Sequence, residues 1–232
     1  MRTRIIATIG PACADVKTLE RMVKAGVSAF RFNFSHGNLA SHQQMLDKVR
    51  IVERRLGRRI GILQDLEGHR IRTGRLTGGQ PVTLKAGQRF LLHRAQVMGT
   101  SKGVSIDYPG SFARIHAHQM IYMDDGKLHL QVLRVGQDAL VTRVVQEGVL
   151  GERKGVNIPG APLDFPPINQ KDVRDLAFAV RNRVQYVAQS FVRDAEDVLQ
   201  VKRRVAPTLP HCQVIAKIEN REGIQNIAEI LR

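Results

Sequence analysis

A chain of 232 residues is long enough to bury a substantial core and accommodates one large domain or two smaller ones. Its 43% hydrophobic and 25% charged residues are those of a soluble globular protein, and no run approaches the ~20 apolar residues of a membrane span, which excludes a spanning helix. The formal net charge of +15 admits nucleic acid, a membrane surface or small anions such as phosphates as partners; aromatic–basic interleaving of the kind that stacks bases is absent, which argues against nucleic acid. Cys13 and Cys212 stand too far apart in sequence for a disulfide framework or a zinc spacing, and with no apolar stretch after a basic start a reduced, cytoplasmic location is expected.

Residues 4–9 read as a first strand, stopped by Gly10-Pro11. Residues 15–25 carry Val16, Leu19, Met22 and Val23 at helical spacing, with Asp15 as N-cap and Gly26 as stop. Residues 29–35 alternate: Phe30, Phe32 and Phe34 point one way, Arg31, Asn33 and Ser35 the other. That polar row is either the wet face of an edge strand or a ligand-facing row at a strand end. Residues 41–56 form the next helix, with Met45, Leu46, Val49 and Val52 inward, and 60–66 a third strand ending at Asp65.

Strand–helix alternation then stops. Residues 71–154 hold short β-like runs and turns, among them the tight-turn pair Asp125-Gly126, and predict an inserted, mostly β domain; 155–160 read as the return linker. Alternation resumes with a helix over 170–183 (Val173, Leu176, Ala177 and Val180 apolar), a strand over 185–192, a helix over 195–205, a strand over 213–219 and a helix over 223–231. Three segments follow: 1–70 as the first part of a parallel α/β architecture, 71–154 as the insert, 155–232 as its continuation. Lys217 and Glu219 lie two apart and share a face of the last strand, where they form either a surface ion pair or a site for a metal and an anion.

Seven landmarks occur in a fixed order: Thr8-Ile9-Gly10-Pro11; Arg31-Phe32-Asn33-Phe34-Ser35-His36-Gly37; Asp65-Leu66-Glu67-Gly68 with Ile71-Arg72; Asp124-Asp125-Gly126; Lys154-Gly155-Val156-Asn157-Ile158-Pro159-Gly160; Ser190-Phe191-Val192-Arg193; and Lys217-Ile218-Glu219-Asn220 with Glu222-Gly223. In this the sequence resembles the pyruvate kinase family. The resemblance implies a β/α (TIM-type) barrel, incomplete here, with a small all-β barrel-like lid inserted after the third strand. It implies phosphoryl transfer from phosphoenolpyruvate to ADP, giving pyruvate and ATP in glycolysis, in a cytoplasmic homo-oligomer. Position by position, Arg31 and Lys217 would bind substrate, with Lys217 catalytic. Asn33, His36, Arg72 and Lys154 would contact nucleotide. Glu219 would ligate Mg²⁺, and Asn33, Ser35, Asp65 and the Leu66 carbonyl match the family's potassium ligands.

Two departures stand out. Gly68-His69-Arg70 replaces a pattern in which Pro is followed by Glu or Lys; Arg70 supplies a fixed cation, like the Lys branch that does not need potassium, and His69 removes a fixed φ at the hinge. The sequence also has no counterpart of the family's later Arg-Gly-Asp segment, whose Asp is a second Mg²⁺ ligand, so a fragment or truncated form is expected. Two other readings compete: a metal-dependent lyase acting on pyruvate or oxaloacetate, and a non-catalytic anion-binding remnant.

Overall fold

The computed structural model describes residues 3–161 and 165–232, so small parts of the expected segments 1–70 and 155–232 lie outside the described residues. The chain divides into two compact units: Met1–His69 with Pro167–Arg232, and Arg70–Pro166.

In the first unit five strands, β1 (Ile5–Thr8), β2 (Val27–Asn33), β3 (Gly61–Asp65), β4 (Tyr186–Gln189) and β5 (Gln213–Ala216), pair in that order, every pair parallel. Helices α1 (Val16–Lys24), α2 (Leu39–Leu56), α3 (Gln170–Asn182) and α4 (Ala195–Val205) are followed at the C-terminal side by the short α5 (Arg221–Gln225) and α6 (Ile227–Ile230). Sequential neighbours in a parallel sheet, joined through helices, are the connectivity of an α/β barrel. All carboxyl ends of such strands lie on one edge, and that edge positions the site.

Local chemistry sets the elements. Asp15 caps α1 by accepting the Thr18 N–H at 2.9 Å. Asn38 and Ser41 cap α2 reciprocally, side chain to backbone in both directions at 2.9 Å, so this helix begins two residues before the expected 41. Phe30 and Phe32 are buried to 0% and 2% exposure while Arg31 and Asn33 alternate with them, so β2 has one core face and one polar face. The outer strands are less covered: Ile5 and Ile6 of β1 are 44% and 55% exposed.

Three expectations are corrected. The strand expected over 213–219 ends at Ala216, so Lys217 and Glu219 stand in the loop beyond it. The helix expected over 223–231 is interrupted at Asn226. On α3 the inward face is rotated: Val173 and Ala177 are exposed, while Asp172, Asp175, Leu176, Phe178 and Ala179 are buried. Apolar spacing misassigned this face because two of its buried side chains are carboxylates with hydrogen-bond partners.

The second unit is built on a seven-stranded sheet in the order Ile71–Arg72, Gly155–Asn157, Met120–Met123, Leu128–Val135, Ala139–Gln146, Arg89–His93, Gly103–Ser105. Val82–Leu84 and Gly148–Leu150 pair separately. Among its described residues helical turns are limited to Thr77–Gly79 and Phe112–Arg114. Asp124, Asp125 and Gly126 all take positive φ and turn the chain between adjacent antiparallel strands. Gly155–Asn157, expected as linker, is a strand paired on both sides, so this unit extends to Pro166 rather than stopping at residue 154. Each unit has its own apolar core, centred on Phe30, Ile62 and Val187 in the first and on Phe90, Leu130 and Leu140 in the second.

Candidate active site

The carboxyl edge of the five-stranded sheet gathers the charged residues that local sequence had left scattered. Asp65 closes β3, and its side chain is only 2% exposed. Arg31 Nε donates to its Oδ2 at 2.6 Å and Lys217 Nζ to its Oδ1 at 3.1 Å. One buried carboxylate therefore holds two cations, and its ionisation is compensated twice. Arg31 Nη1 also donates to Thr8 Oγ1 at the end of β1, at 3.0 Å. Lys217 Nζ donates to Ser190 Oγ at 2.7 Å, and that hydroxyl in turn donates to the Leu66 carbonyl at 2.6 Å. The cations are fixed from behind, yet the Arg31 and Lys217 side chains remain 32% and 27% exposed. Such an arrangement presents held positive charge to an arriving anion with little reorganisation.

Glu219 sits beside this cluster. Its Oε1 is 3.4 Å from Lys217 Nζ and its Oε2 accepts the Phe191 N–H at 3.1 Å. Phe191 has φ +57°, a left-handed backbone that costs a non-glycine residue energy and that aims its N–H at this carboxylate. Among the described residues no three His, Cys, Asp or Glu side chains gather into a metal cage. A single accessible carboxylate fits an ion that takes its remaining ligands from water and substrate oxygens, as Mg²⁺ does.

The potassium set is a poorer fit. The Asn33 side-chain oxygen accepts the Ser35 N–H at 3.1 Å, Asp65 carries Arg31 and Lys217, and the Leu66 carbonyl carries Ser190. Three of the four expected ligand groups thus already accept protein hydrogen bonds. His36 is exposed, its carbonyl 2.9 Å from His42 Nε2.

Arg70, Arg72 and Lys154 belong to the second unit. Arg70 Nη2 pairs with Asp125 at 2.8 Å. Lys154 pairs with Asp124 at 3.1 Å. Burial opposes ionisation of Asp124, but Lys154 and Lys127 outweigh it and hold this carboxyl below its ordinary value. The Arg72 backbone N–H bonds the Asp107 carboxylate.

Sequence reasoning assigned no role to Thr8, Ser190 or Asp172. Thr8 ends β1 and Ser190 directly follows β4, which is the available signal. Asp172 carries none, because the two backbone groups its carboxylate holds are 104 and 105 residues away. Its two carboxylate oxygens accept the backbone N–H groups of Glu67 and Gly68 at 3.1 and 3.0 Å, and Asn169 donates to the Gly68 carbonyl at 2.8 Å. The loop that follows Asp65 is strapped to α3 in this way. Gly68 takes φ +69°, and a Cβ there would fall 2.8 Å from the Ser190 Cβ, so the strap also requires glycine. Burial pushes the Asp172 carboxyl up to about 6, against the Gly68 N–H and Lys171, which lower it.

A parallel strand–helix sheet with charged residues gathered on its carboxyl edge is the arrangement of an α/β-barrel enzyme. The chain matches the pyruvate kinase barrel domain over residues 1–232 and belongs to the pyruvate kinase family, a family of phosphotransferases. It is 39% identical to the pyruvate kinase of Geobacillus stearothermophilus and 42% identical to pyruvate kinase PKLR of Homo sapiens. Each match covers 99% of this chain, and 40% and 42% of those proteins respectively. The chain thus spans about two fifths of the length of the curated relatives it matches. No helix among the described residues is long and apolar enough to cross a membrane.

Proposed function

We propose that the Asp65-centred cluster is the phosphoryl-transfer centre of a pyruvate kinase, which moves the phosphoryl group of phosphoenolpyruvate to ADP and leaves pyruvate and ATP. The observation that carries this reading is the pair of half-buried cations, Arg31 and Lys217, held by one buried carboxylate at the carboxyl edge of the sheet. Arg31 presents a guanidinium fork to the phosphoryl oxygens. Lys217 stabilises charge on the phosphoryl group in flight and on the enolate oxygen left behind. Thr8 and Ser190 orient these two cations, each through one hydrogen bond. Glu219 would hold Mg²⁺, which when bound neutralises charge on the phosphates. Asn33 and His36 lie on the nucleotide side in this reading. Arg72 and Lys154, both in the second unit, would contact the nucleotide phosphates. Potassium is dispensable in this reading, because Asp65 is already doubly paired. A cytoplasmic homo-oligomer follows from the same reading.

The test is calorimetric titration of phosphoenolpyruvate into the folded chain with Mg²⁺ present. Arg31→Ala and Lys217→Ala should each weaken binding by roughly tenfold or more, since each removes a charge-assisted contact to the phosphate. Binding unchanged in both variants would refute the assignment.

A further inference from the structure

Asp172 plays no part in the chemistry proposed above, yet it lies at the far end of a chain of hydrogen bonds that terminates on Lys217. It stands in the first turn of α3 and is 2% exposed. A carboxylate buried to that degree demands donors. Its Oδ1 accepts the Glu67 N–H at 3.1 Å; its Oδ2 accepts the Gly68 N–H at 3.0 Å and Asn169 Nδ2 at 2.8 Å. Asn169 is fixed in turn, since it is the N-cap of α3 and its Oδ1 accepts the Asp172 N–H at 2.7 Å.

The direction of each bond is set by chemistry. An ammonium group can only donate, so at 2.7 Å Ser190 Oγ accepts from Lys217 Nζ. The single hydroxyl proton is then left for the Leu66 carbonyl, 2.6 Å away. That carbonyl and the Glu67 N–H belong to one peptide group, which is planar. Ser190 therefore holds one end of the plane and Asp172 the other. The series runs ammonium, hydroxyl, peptide, carboxylate, with every donor pointing the same way and opposite charges at its two ends. Alignment of this kind strengthens each bond by about 10–30%. That is small beside the loss of a whole acceptor, which follows if the peptide plane turns away from Ser190. Positioning is therefore the larger effect.

We infer that Asp172 is a positioning residue for Lys217: by fixing the Leu66–Glu67 peptide plane it aims the Ser190 hydroxyl, and through that hydroxyl the ammonium group. Asp65 alone leaves the aim open, because it is shared with Arg31 and its 3.1 Å contact to Lys217 is longer than the one from Ser190. The inference deepens the phosphoryl-transfer reading and rests on it for what Lys217 does; the bond series itself stands on its own contacts.

The experiment follows the Lys217 amine directly. The whole chain is labelled with trinitrobenzenesulfonate, and modified peptides are quantified by mass spectrometry in wild type, Asp172→Ala, Asp172→Asn, Ser190→Ala and the Asp172→Ala/Ser190→Ala double variant. Circular dichroism checks that each is folded. Lys48, whose Nζ donates to the Ala14 carbonyl at 2.8 Å, is the internal reference for general loosening. Asp172→Ala should speed labelling of Lys217 by roughly threefold or more, the effect of losing about one hydrogen bond, with Lys48 unchanged. Asparagine keeps one acceptor oxygen, so Asp172→Asn should give an intermediate rate, and it carries the test if the alanine variant does not fold. The double variant should label Lys217 no faster than Ser190→Ala alone. An unchanged Lys217, equal acceleration of Lys217 and Lys48, or additive effects of the two substitutions would each overturn the inference. Calorimetric titration of phosphoenolpyruvate with Mg²⁺ gives a second readout: Asp172→Asn should weaken binding in the wild-type background and leave it unchanged beside Lys217→Ala. Equal weakening in both backgrounds would reduce Asp172 to a structural residue. A folded wild type that binds no phosphoenolpyruvate would refute the phosphoryl-transfer reading instead, and the labelling rates would still decide the role of Asp172.

Discussion

Asp172 combines burial, several donors and an unusual ionisation. Its carboxyl is 2% exposed, accepts two backbone N–H groups from the Glu67–Gly68 loop, and titrates at about 6 rather than at its ordinary value. A carboxyl whose pKa is higher folded than unfolded binds more protons in the folded state between the two values. Its contribution to stability is therefore complete below about pH 4 and is lost as pH rises through about 6. Wild type should lose stability relative to Asp172→Asn between pH 4 and 7, by on the order of 1–3 kcal/mol. Urea denaturation of both proteins across that range measures the difference. A gap that stays flat, or that moves the other way, would remove Asp172 as the titrating group. Neighbouring charges act on the same carboxyl, Lys171 lowering its pKa and Asp175 raising it.

At the scale of elements, α3 carries the clearest lesson. Its apolar spacing pointed Val173 inward, yet Val173 is 41% exposed while Phe178 is 6% exposed. Val173→Ala should cost no more than about 0.5 kcal/mol, the usual range for a surface change. Phe178→Ala should cost about 3–5 kcal/mol, the range for a truncated buried aromatic. Equal costs in chemical denaturation would mean that the helix face has been misread. Periodicity failed here because Lys171 Nζ donates to both the Phe34 carbonyl and Asp175 at 2.6 Å, and Gln64 donates to the Asp175 carbonyl at 2.7 Å. The contacts to Phe34 and Gln64 span more than a hundred residues, and none of the three is registered by a pattern of apolar residues. Where local chemistry decides, the sequence was readable. The Asp15 cap, the Phe30/Phe32/Phe34 alternation and the Asp125-Gly126 turn all follow from neighbours a few residues apart. Arg31, Asp65 and Lys217 were each recognisable from motifs in the chain. That one carboxylate joins the two cations was not, since their separations of 34 and 152 residues are closed by the sheet alone.

On the scale of the molecule, two cores built by two segments of contrasting pattern explain the division. Strand–helix alternation makes the parallel sheet, and a run of short strands between Arg70 and Pro166 makes the other unit. The positive charge distributes over both: the first unit holds Arg31 and Lys217 around Asp65, and the second carries Arg70 paired with Asp125 and Lys154 paired with Asp124. A net charge of +15 is therefore consistent with anionic small molecules without requiring a polymer partner. The central claim is that the Asp65-held pair transfers a phosphoryl group. Its most direct measurement is the rate of pyruvate formation from phosphoenolpyruvate by the folded chain with Mg²⁺, in potassium-free buffer. The account predicts a rate that requires ADP and that falls by roughly 10²–10³-fold in Lys217→Ala; no ADP-dependent pyruvate, or a rate indifferent to Lys217, would contradict it.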